Sequence, residues 1–306
     1  MVLQGNTPTS KDHYPSRRNK TAHLIERKDP TIYAPVMSDG PLATGQVISY
    51  ADNGFLILED VFSVEEIQQF QQEMERLRTD NAIKTAPETI TEPDSGDVRS
   101  VFRIHQISPL FSKLAADPRL AEIARFLLDD QVYIHQSRLN YKPGFRGKEF
   151  YWHSDFETWH VEDGMPRMRA LSMSITLTEN FEYNGPLMLI PGSHRQYAVC
   201  EGETPDNHHQ QSLKRQEYGV PSDLLLKQMV NKGGIVTATG KPGSVIIFDC
   251  NLMHGSNGNI TPDPRSNVFF VYNALSNRVQ APFCNQPPRP EHICSRDSIT
   301  PLPGNA

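Results

Sequence analysis

Cysteine is scarce in this sequence, and the few cysteines present are not paired at short spacing. They are Cys200, Cys250, Cys284 and Cys294. No two of them form a CxxC unit or any other spacing typical of a zinc site or a dithiol redox centre. We therefore expect free thiols in a reducing compartment, which favours a cytoplasmic protein over a secreted one.

Long apolar runs and an excess of basic residues are absent as well. No stretch approaches the ~20 consecutive apolar residues that a membrane-spanning helix needs. Residues 1–20 are polar and basic without a hydrophobic segment, so no secretory signal is expected. With a net charge of −6 at pH 7, the chain offers no electrostatic support for binding nucleic acid.

Tryptophan is rare too, and both tryptophans of the chain fall in one short run. This run covers residues 150–166 and also contains His153 and Asp155. On a β-strand, residues at i and i+2 point to the same face, so this spacing predicts an imidazole beside a carboxylate. One more ligand would complete a facial triad for Fe(II), with positions left open for substrate and oxygen.

The His-x-Asp pair alone is weak evidence for a metal site. With 11 histidines and 36 acidic residues among 306, about one such pair is expected by chance. A second pair is indeed present at His160 and Glu162. A surface ion pair or a hydrogen-bonded turn therefore remains an alternative on this evidence.

The first part of the chain is predicted to be an arm followed by helices. Residues 1–45 are rich in proline and charge, which predicts an extended arm lying on the body or on a partner subunit. A capping box at Ser63 precedes apolar residues at helical spacing and predicts a helix over 63–80. A second helical region is predicted over 108–128. Between them, the polar residues 81–100 predict a loop, either a mobile lid or an ordinary solvated loop.

From residue 131 onward the pattern changes to short strands separated by Gly, Pro and Asn turns. The candidate strands cover residues 131–142, 148–153, 168–178, 186–190, 234–239, 244–249 and 266–275. The tail from Ala281 is rich in proline and is predicted to be extended. Without internal repeats or a linker, residues 46–306 are predicted to form a single domain, with a β core over about 131–275. The fold class is mainly β with flanking helices.

One candidate strand, residues 136–142, is polar on one whole face. Its even-numbered residues are Gln136, Arg138, Asn140 and Lys142. If this face lies towards solvent, the strand is an ordinary amphipathic one. If it lines a barrel interior, four polar groups converge on a pocket, where they are costly to bury without ligands or partners. Two of them are cations, which suits small molecules that carry carboxylates.

Two further segments contain a histidine after a buried strand. In residues 185–195 a strand runs into a Pro-Gly turn before His194, for which a structural role is favoured. In residues 241–256 an apolar strand ends at His254, which could be a core histidine with its hydrogen bonds satisfied. Arg265 opens the next strand and could bind a carboxylate through two guanidinium nitrogens.

These segments together resemble the phytanoyl-CoA dioxygenase superfamily of Fe(II)/2-oxoglutarate oxygenases. The resemblance is carried by residues 136–142, 185–195 and 241–256, and it extends over nearly the whole chain. Within the superfamily, residues 150–166 and the sequence Tyr14-Pro-Ser-Arg17 resemble the branch that hydroxylates ectoine to 5-hydroxyectoine, a compatible solute in salt and heat stress. The resemblance implies a double-stranded β-helix core, also called a jelly roll or cupin-like fold, and a homodimer.

The resemblance also implies roles for individual residues. Fe(II) would be held by His153, Asp155 and His254. The cosubstrate 2-oxoglutarate, which acts together with O2, would be bound by Lys142, Arg265, Asn140, Phe150 and Ser256. The substrate pocket would include Gln136, Arg138, Trp159, Phe248 and Phe269. His160 and Glu162 match the family signature outside the ligand positions.

Two other functions are compatible with much of the same pattern. A hydroxylase for a different small substrate, such as free proline or an acyl-CoA, would keep the metal ligands and change the pocket face. The absence of a basic patch disfavours a CoA ester. A cupin-like binding protein without enzymatic activity would use His254 or Arg265 structurally. The aspartate at position 155 argues against the related halogenases, which need that coordination position for halide.

Overall fold

The computed structural model describes most of the chain. The described residues are 11–18, 20–35, 40–92, 96–212, 217–284, 286–297 and 299–304. Parts of the predicted arm, of the predicted 81–100 loop and of the predicted tail lie outside them, namely residues 1–10, 19, 36–39, 93–95, 285, 298 and 305–306. Within the described residues, no helix is both long and apolar enough to cross a bilayer.

Short helices flank the β core. They are α1 (Thr44–Asn53), α2 (Val64–Thr79), α3 (Asn81–Lys84), α4 (Ile104–Ile107), α5 (Pro109–Ala115), α6 (Pro118–Leu128), α7 (Asp155–Asp163), α8 (His209–Ser212) and α9 (Asp223–Gly233). α2 lies where the helix over 63–80 is predicted, and Ser63 caps it by accepting a hydrogen bond from the Glu66 N–H at 3.2 Å. The region 108–128 contains α5 and α6.

α1 has no counterpart among the predicted elements. Only two of its residues, Val47 and Tyr50, are buried, so the apolar period is too weak to mark a helix. Its N-cap residue, Ala43, has no side-chain oxygen that could signal a helix start. The helix is held instead by packing in the main core.

The strands form three antiparallel sheets. They are β1 (His23–Glu26), β2 (Phe55–Leu58), β3 (Thr89–Thr91), β4 (Val98–Phe102), β5 (Val132–Lys142), β6 (Phe150–His153), β7 (Ala170–Thr176), β8 (Leu187–Leu189), β9 (Gln196–Val199), β10 (Val236–Ala238), β11 (Val245–Asp249), β12 (His254–Ser256) and β13 (Arg265–Ala274). The large sheet has the order β2-β11-β7-β13-β5-β4-β3, the small sheet has the order β10-β8-β12-β6, and β1 pairs with β9.

The large and small sheets enclose an apolar layer, as in the predicted jelly roll. Leu187 and Leu189 of the small sheet pack in one buried cluster with Phe248 and Phe269 of the large sheet. The opposite face of the large sheet packs against α2, α5 and α6 in the main core. The space between the two sheets is therefore the place where inward-facing polar side chains can form a site.

The pairing of β5 with β13 decides where the polar face of residues 136–142 points. In this register Arg265 lies opposite Lys142, and Phe269 lies opposite Arg138. Residues directly opposite each other in an antiparallel pair share a face of the sheet. Because Phe269 lies in the layer between the sheets, Arg138 faces that layer too. The polar face lines the interior, and the solvent-facing alternative is wrong.

The strand geometry predicted for His153 and Asp155 is also wrong. β6 ends at His153, and Asp155 is the first residue of α7. A carboxylate is favourable at this position because the helix N-terminus carries partial positive charge. The two side chains still converge, across a strand-to-helix turn at Ser154, whose hydroxyl donates a hydrogen bond to Asn251 Oδ1 at 3.0 Å.

The loop predicted over 81–100 is only partly a loop. It contains α3 and β3, and β4 begins at Val98. β4 pairs with β5, with Ser100 opposite Asn140, so the β3–β4 hairpin extends the large sheet. The segment lacks the apolar alternation of an ordinary strand because part of it borders a polar cavity, and this concealed it in the sequence.

The described part of the arm lies on the body of its own chain. β1 pairs with β9, with Ile25 opposite Tyr197. Tyr14 is fully buried, with its ring centroid 5.2 Å from those of both Phe156 and Tyr197. The amino-terminal segment is therefore part of the folded core, although its composition predicts only an extended arm.

Gly164, which ends α7, carries a testable stability prediction. Its φ is 76°, and a Cβ built there would lie 2.2 Å from the carbonyl oxygen of Gln280. Gly164→Ala is expected to lower the free energy of unfolding by about 2 kcal/mol or more, because alanine is strained in this conformation and must displace backbone. Denaturant titration measures the change. Gly45→Ala in α1, where the Cβ meets nothing within 4 Å, is the control; equal stability of the two variants contradicts the prediction.

Candidate metal centre

Two histidines from different parts of the chain meet across neighbouring strands of the small sheet. β12 pairs with β6, and in this register His254 lies opposite His153. The two imidazole ring centroids are 4.2 Å apart. The sheet pairing thus brings together two side chains that lie about a hundred positions apart in the sequence.

Asp155 completes a group of three ligand-type side chains. One carboxylate oxygen lies 3.7 Å from His153 Nε2, and the other lies 3.9 Å from His254 Nε2. One ligand atom from each of the three residues lies within 4.8 Å of the other two. Ser172 supports the carboxylate by donating a hydrogen bond at 3.3 Å. Two imidazoles and one carboxylate in this arrangement form a facial triad.

The protonation of the three side chains suits a divalent metal. His153 Nδ1 lies 2.8 Å from the Tyr151 carbonyl oxygen, and His254 Nδ1 lies 3.0 Å from that of Leu252. A carbonyl only accepts hydrogen bonds, so Nδ1 of each ring is the donor and Nε2 is the nitrogen left to face the triad. Burial, with His153 nearby, lowers the pKa of His254 to about 4, so this ring is neutral at pH 7.

The carboxylate of the triad is held ionised. Burial by itself raises the pKa of Asp155, but His254, His153 and Arg138 together lower it well below its usual value. An ionised carboxylate with two neutral imidazoles is the donor set of non-haem Fe(II) sites that keep coordination positions open. The residues present therefore fit Fe(II).

A cavity opens beside the triad, and His153 and His254 form part of its wall. It is lined by the cations Arg138, Lys142 and Arg265. The Nε atoms of Arg138 and Arg265 are buried without a hydrogen-bond partner among the described residues. Buried cations with unused donors are costly, so this cavity is built for an anionic ligand.

Burial and the repulsion between neighbouring basic side chains both lower the pKa values of Lys142 and Arg265. Burial, together with Arg265 and Arg99, lowers the pKa of Lys142 to about 6. Burial, together with Arg138, lowers the pKa of Arg265 to about 10. Lys142 also donates a hydrogen bond to Ser256 Oγ at 3.0 Å, which fixes the ammonium group at the cavity wall. A dicarboxylate bound between Lys142 and Arg265 would relieve this repulsion.

The affinity for 2-oxoglutarate is therefore expected to fall as the pH rises through neutrality. Since the pKa of Lys142 is about 6 in the free protein and a bound dianion raises it, binding takes up a proton above that pH. Affinity is highest below about pH 6 and decreases by up to about tenfold per pH unit above it. Anaerobic titration calorimetry in buffers of different ionisation enthalpy measures both effects. Lys142→Met should remove the proton uptake; pH-independent binding by the unaltered protein contradicts the prediction.

The cavity brings together most of the predicted site residues. Those that line it are Arg138, Asn140, Lys142, Phe150, His153, His254, Ser256, Arg265 and Phe269. The Arg138 guanidinium also lies 5.0 Å from the centroid of the Phe269 ring. The predicted iron, cosubstrate and substrate residues thus adjoin one another, as a reaction between bound molecules requires.

Three predicted substrate residues do not line this cavity. Gln136 is 6% exposed and donates a hydrogen bond to the Ile293 carbonyl oxygen at 2.9 Å. Trp159 lies on α7 and packs edge-on against the His135 ring at 5.3 Å. Phe248 packs against the His254 ring at 5.0 Å and so borders the triad. Their substrate roles stay predictions.

Several cavity residues have no counterpart among the predicted site residues. Glu92, Arg99 and Phe102 reach the cavity from the β3–β4 hairpin. Arg99 Nε lies 3.9 Å from Glu92 Oε1. No sequence pattern marked them, since the hairpin itself reads as a polar loop. His194, for which the sequence favours a structural role, is buried with its Nε2 3.2 Å from the Ala51 carbonyl oxygen, away from the triad.

A second group of ligand-type side chains is already satisfied by protein contacts. His135, Asp163 and Cys294 are buried, with ligand atoms within 4.8 Å of one another. Arg289 donates to both oxygens of Asp163, at 2.7 and 2.5 Å. Burial raises the pKa of the Cys294 thiol well above its ordinary value, which disfavours a thiolate ligand. We interpret this group as a structural network.

Comparison with known proteins shows which proteins this chain is similar to. The profile of the family described as Phytanoyl-CoA dioxygenase (PhyH) matches residues 50–267. Ectoine dioxygenase from Sphingopyxis alaskensis is 57% identical over 285 residues, which cover 93% of each chain. The crystal structure of EctD from S. alaskensis with 2-oxoglutarate and 5-hydroxyectoine matches with a TM-score of 0.86 and 52% identity, over 95% of this chain and 97% of that chain. The structure of EctD from the same organism with bound Fe matches with a TM-score of 0.86 and 51% identity, over the same shares of the two chains.

Proposed function

Because the chain belongs to the phytanoyl-CoA dioxygenase family, we propose that it hydroxylates ectoine to 5-hydroxyectoine as an Fe(II)- and 2-oxoglutarate-dependent dioxygenase. The reaction converts ectoine, 2-oxoglutarate and O2 into 5-hydroxyectoine, succinate and CO2. The product is a compatible solute that protects cells in osmotic and heat stress. The observation that carries the proposal is the buried triad of His153, Asp155 and His254 beside a cavity lined by cations.

The three triad residues would hold Fe(II). Two imidazoles and one carboxylate would supply three ligands and would leave coordination positions for 2-oxoglutarate and O2. When bound, Fe(II) supplies the redox chemistry that couples oxidative decarboxylation of 2-oxoglutarate to oxidation of a C–H bond. The protein's part is to bind both organic molecules in the correct orientation and to keep water out.

Arg265 and Lys142 would bind the carboxylates of 2-oxoglutarate. Arg265 is almost fully buried, its Nε has no hydrogen-bond partner among the described residues, and its Nη1 donates a long hydrogen bond of 3.4 Å to Asn267 Oδ1. A planar guanidinium with free donors binds a carboxylate bidentately, whereas the Lys142 ammonium acts as a point charge. Asn140, Phe150 and Ser256 line the same wall and would complete this subsite.

Arg138 and Phe269 would bind ectoine, which is a cyclic amidinium carboxylate. The Arg138 guanidinium lines the cavity and helps to lower the pKa of Asp155, so it lies near both the metal site and the open space. It can pair with the substrate carboxylate. Aromatic faces suit the delocalised cation, and this is the role proposed for Phe269, with Trp159 and Phe248 as further candidates. Gln136 would donate a hydrogen bond to the substrate after its hydrogen bond to the Ile293 carbonyl oxygen is broken.

The direct test is aerobic incubation of the protein with Fe(II), 2-oxoglutarate and ectoine. Mass spectrometry should detect a product heavier than ectoine by one oxygen atom, with succinate in equal amount. Free proline in place of ectoine tests the alternative of a hydroxylase for another small substrate. Anaerobic addition of Fe(II) and 2-oxoglutarate should also give a visible charge-transfer band, which a non-enzymatic binding protein would lack. Hydroxylation of proline but not ectoine would overturn the substrate assignment.

Arg138→Ala is expected to raise the KM for ectoine about tenfold or more, and that for 2-oxoglutarate much less. The reason is the loss of a charge-assisted hydrogen bond to the substrate carboxylate, which is worth about 1.5–3 kcal/mol. Steady-state kinetics with each substrate varied separately measures the two constants. Arg146→Ala, at an exposed arginine, is the matched control. The opposite ranking of the two KM effects would mean that Arg138 serves the cosubstrate.

We also propose a cytoplasmic location and a homodimeric assembly. The location is supported by four cysteines that are all free, as expected in a reducing compartment. The homodimer is suggested by the family resemblance, and light scattering of the purified protein tests it.

A further inference from the structure

α7 is almost entirely buried and contacts other segments of the chain along its whole length. It begins at Asp155, a ligand of the metal site proposed above, on which this inference rests, and every following residue of the helix is buried. Four of these buried residues are ionisable, namely Glu157, His160, Glu162 and Asp163. Buried charges need charged or hydrogen-bonding partners, so the groups that meet them determine how the helix is oriented.

Arg17 of the amino-terminal segment bridges two of these charges. Its side chain is fully buried; Nε and one terminal nitrogen donate to the two oxygens of Glu157 at 3.0 and 2.6 Å. The other terminal nitrogen donates to Glu162 Oε1 at 2.5 Å. Ser16 adds a hydrogen bond from its hydroxyl to Glu157 Oε1 at 2.6 Å. One guanidinium thus holds two carboxylates that lie more than one helical turn apart.

The same segment holds the rest of the helix. Asp12 Oδ1 lies 3.0 Å from His160 Nε2, and the Tyr14 ring packs edge-on against Phe156. The segment is itself fastened to the body, since the Arg17 N–H donates to the Cys200 carbonyl oxygen at 3.0 Å. We call Asp12, Tyr14, Ser16 and Arg17 the arm clamp. It includes both ends of the Tyr14-Pro-Ser-Arg17 sequence, for which the catalytic residues provide no explanation.

We propose that the arm clamp orients α7 and so sets the position of Asp155 relative to His153 and His254, with Arg17 as a positioning residue for Fe(II) binding. A helix moves as a rigid unit, so a small rotation or slide at Glu157 and Glu162 is transmitted to its first residue. Metal sites tolerate displacements of only about 0.5 Å in their ligands. The hydrogen bond that Asp155 accepts from Ser172 gives it only weak support, because it is long, at 3.3 Å.

A purely structural role for Arg17 makes a different prediction. In that case Arg17 only neutralises buried carboxylates. Any substitution that keeps the charges balanced should then leave Fe(II) binding unchanged. The double variant Arg17→Gln/Glu157→Gln removes one positive and one negative charge together and leaves Glu162 with its contact to His208 at 2.7 Å. Arg17→Lys keeps the positive charge but loses the bidentate hydrogen bonding to Glu157. Arg76→Gln, at an arginine of α2 whose side chain is 48% exposed and pairs with Glu73, is the matched control.

The experiment measures the Fe(II) dissociation constant of each full-length variant by anaerobic titration, well below its melting temperature, which is recorded separately. We expect the double variant and Arg17→Lys to bind Fe(II) about tenfold more weakly than the unaltered protein, as for loss of supporting residues in other metal sites. Arg76→Gln should bind it as tightly as the unaltered protein does. If either folded Arg17 variant binds Fe(II) as tightly as the unaltered protein, the clamp is only structural and the proposal is overturned. Because the readout is metal affinity, failure of ectoine hydroxylation in the unaltered protein would overturn the proposed function without deciding this question.

Discussion

Replacing Asp155 by alanine is expected to abolish Fe(II) binding and to reduce ectoine hydroxylation about a thousandfold or more. The carboxylate is the one anionic donor of the triad, and the buried cation Arg138 adds positive charge beside it. Without it, two neutral imidazoles face a divalent ion in a positively charged surrounding. A reduction in rate of this size corresponds to the loss of several kcal/mol of transition-state stabilisation by the metal.

The measurement is anaerobic Fe(II) titration followed by a turnover assay with ectoine. The visible band formed with Fe(II) and 2-oxoglutarate should be absent from the variant. Asp52→Ala, at an aspartate whose side chain is 63% exposed, should behave as the unaltered protein does. Circular dichroism checks that the variant is folded, since removing an anion from a helix N-terminus costs only about 0.3–1 kcal/mol. Retained hydroxylation in Asp155→Ala, or in His153→Ala or His254→Ala, would refute the ligand assignment.

Arg265→Ala is expected to raise the KM for 2-oxoglutarate about 100-fold, with a much smaller effect on the KM for ectoine. The guanidinium is buried in the cavity wall, where Arg265 lies opposite Lys142 on the neighbouring strand, and its Nε donor has no hydrogen-bond partner among the described residues. Truncating one member of a buried, hydrogen-bonded charge pair costs about 2–5 kcal/mol, because the other charge then remains unpaired. Steady-state kinetics with 2-oxoglutarate varied at saturating ectoine measures the effect.

Arg265→Lys separates charge from geometry. A lysine keeps the positive charge but lacks the planar fork, so its KM should lie between those of the alanine variant and the unaltered protein. The alanine variant also removes a positive neighbour of Lys142, which should raise the pKa of that ammonium group from about 6. The loss of 2-oxoglutarate affinity with rising pH should then begin at a higher pH. An unchanged KM for 2-oxoglutarate in Arg265→Ala would remove the cosubstrate role of this residue.

Much of the site could be predicted because its donors are marked by residue type and spacing. His153 and Asp155 lie next to the two tryptophans, and the polar face of residues 136–142 is unusual for a strand in a β core. The family resemblance, supported by the comparisons, supplied His254 and the fold class. Even so, the predicted strand geometry for His153 and Asp155 was wrong, because a two-residue spacing also brings side chains together across a strand-to-helix turn.

The rest could not be predicted because it depends on contacts between distant segments. The β3–β4 hairpin adds Glu92 and Arg99 to the cavity wall, yet its own sequence is that of a polar loop. Arg17 is one basic residue in a segment rich in charge, and nothing in its neighbourhood marks it as buried. Its role becomes visible only when its guanidinium is seen to contact both Glu157 and Glu162.

By itself, the sequence determined which chemical groups this protein has for holding a metal and an anionic cosubstrate, since imidazole, carboxylate and guanidinium are properties of single residues. Only the tertiary structure decided that the polar face of β5 points inward and that the amino-terminal segment contacts α7 through Arg17. The register of β5 against β13 and the burial of Arg17 both arise from packing between segments far apart in the chain, and local patterns carry no record of such packing.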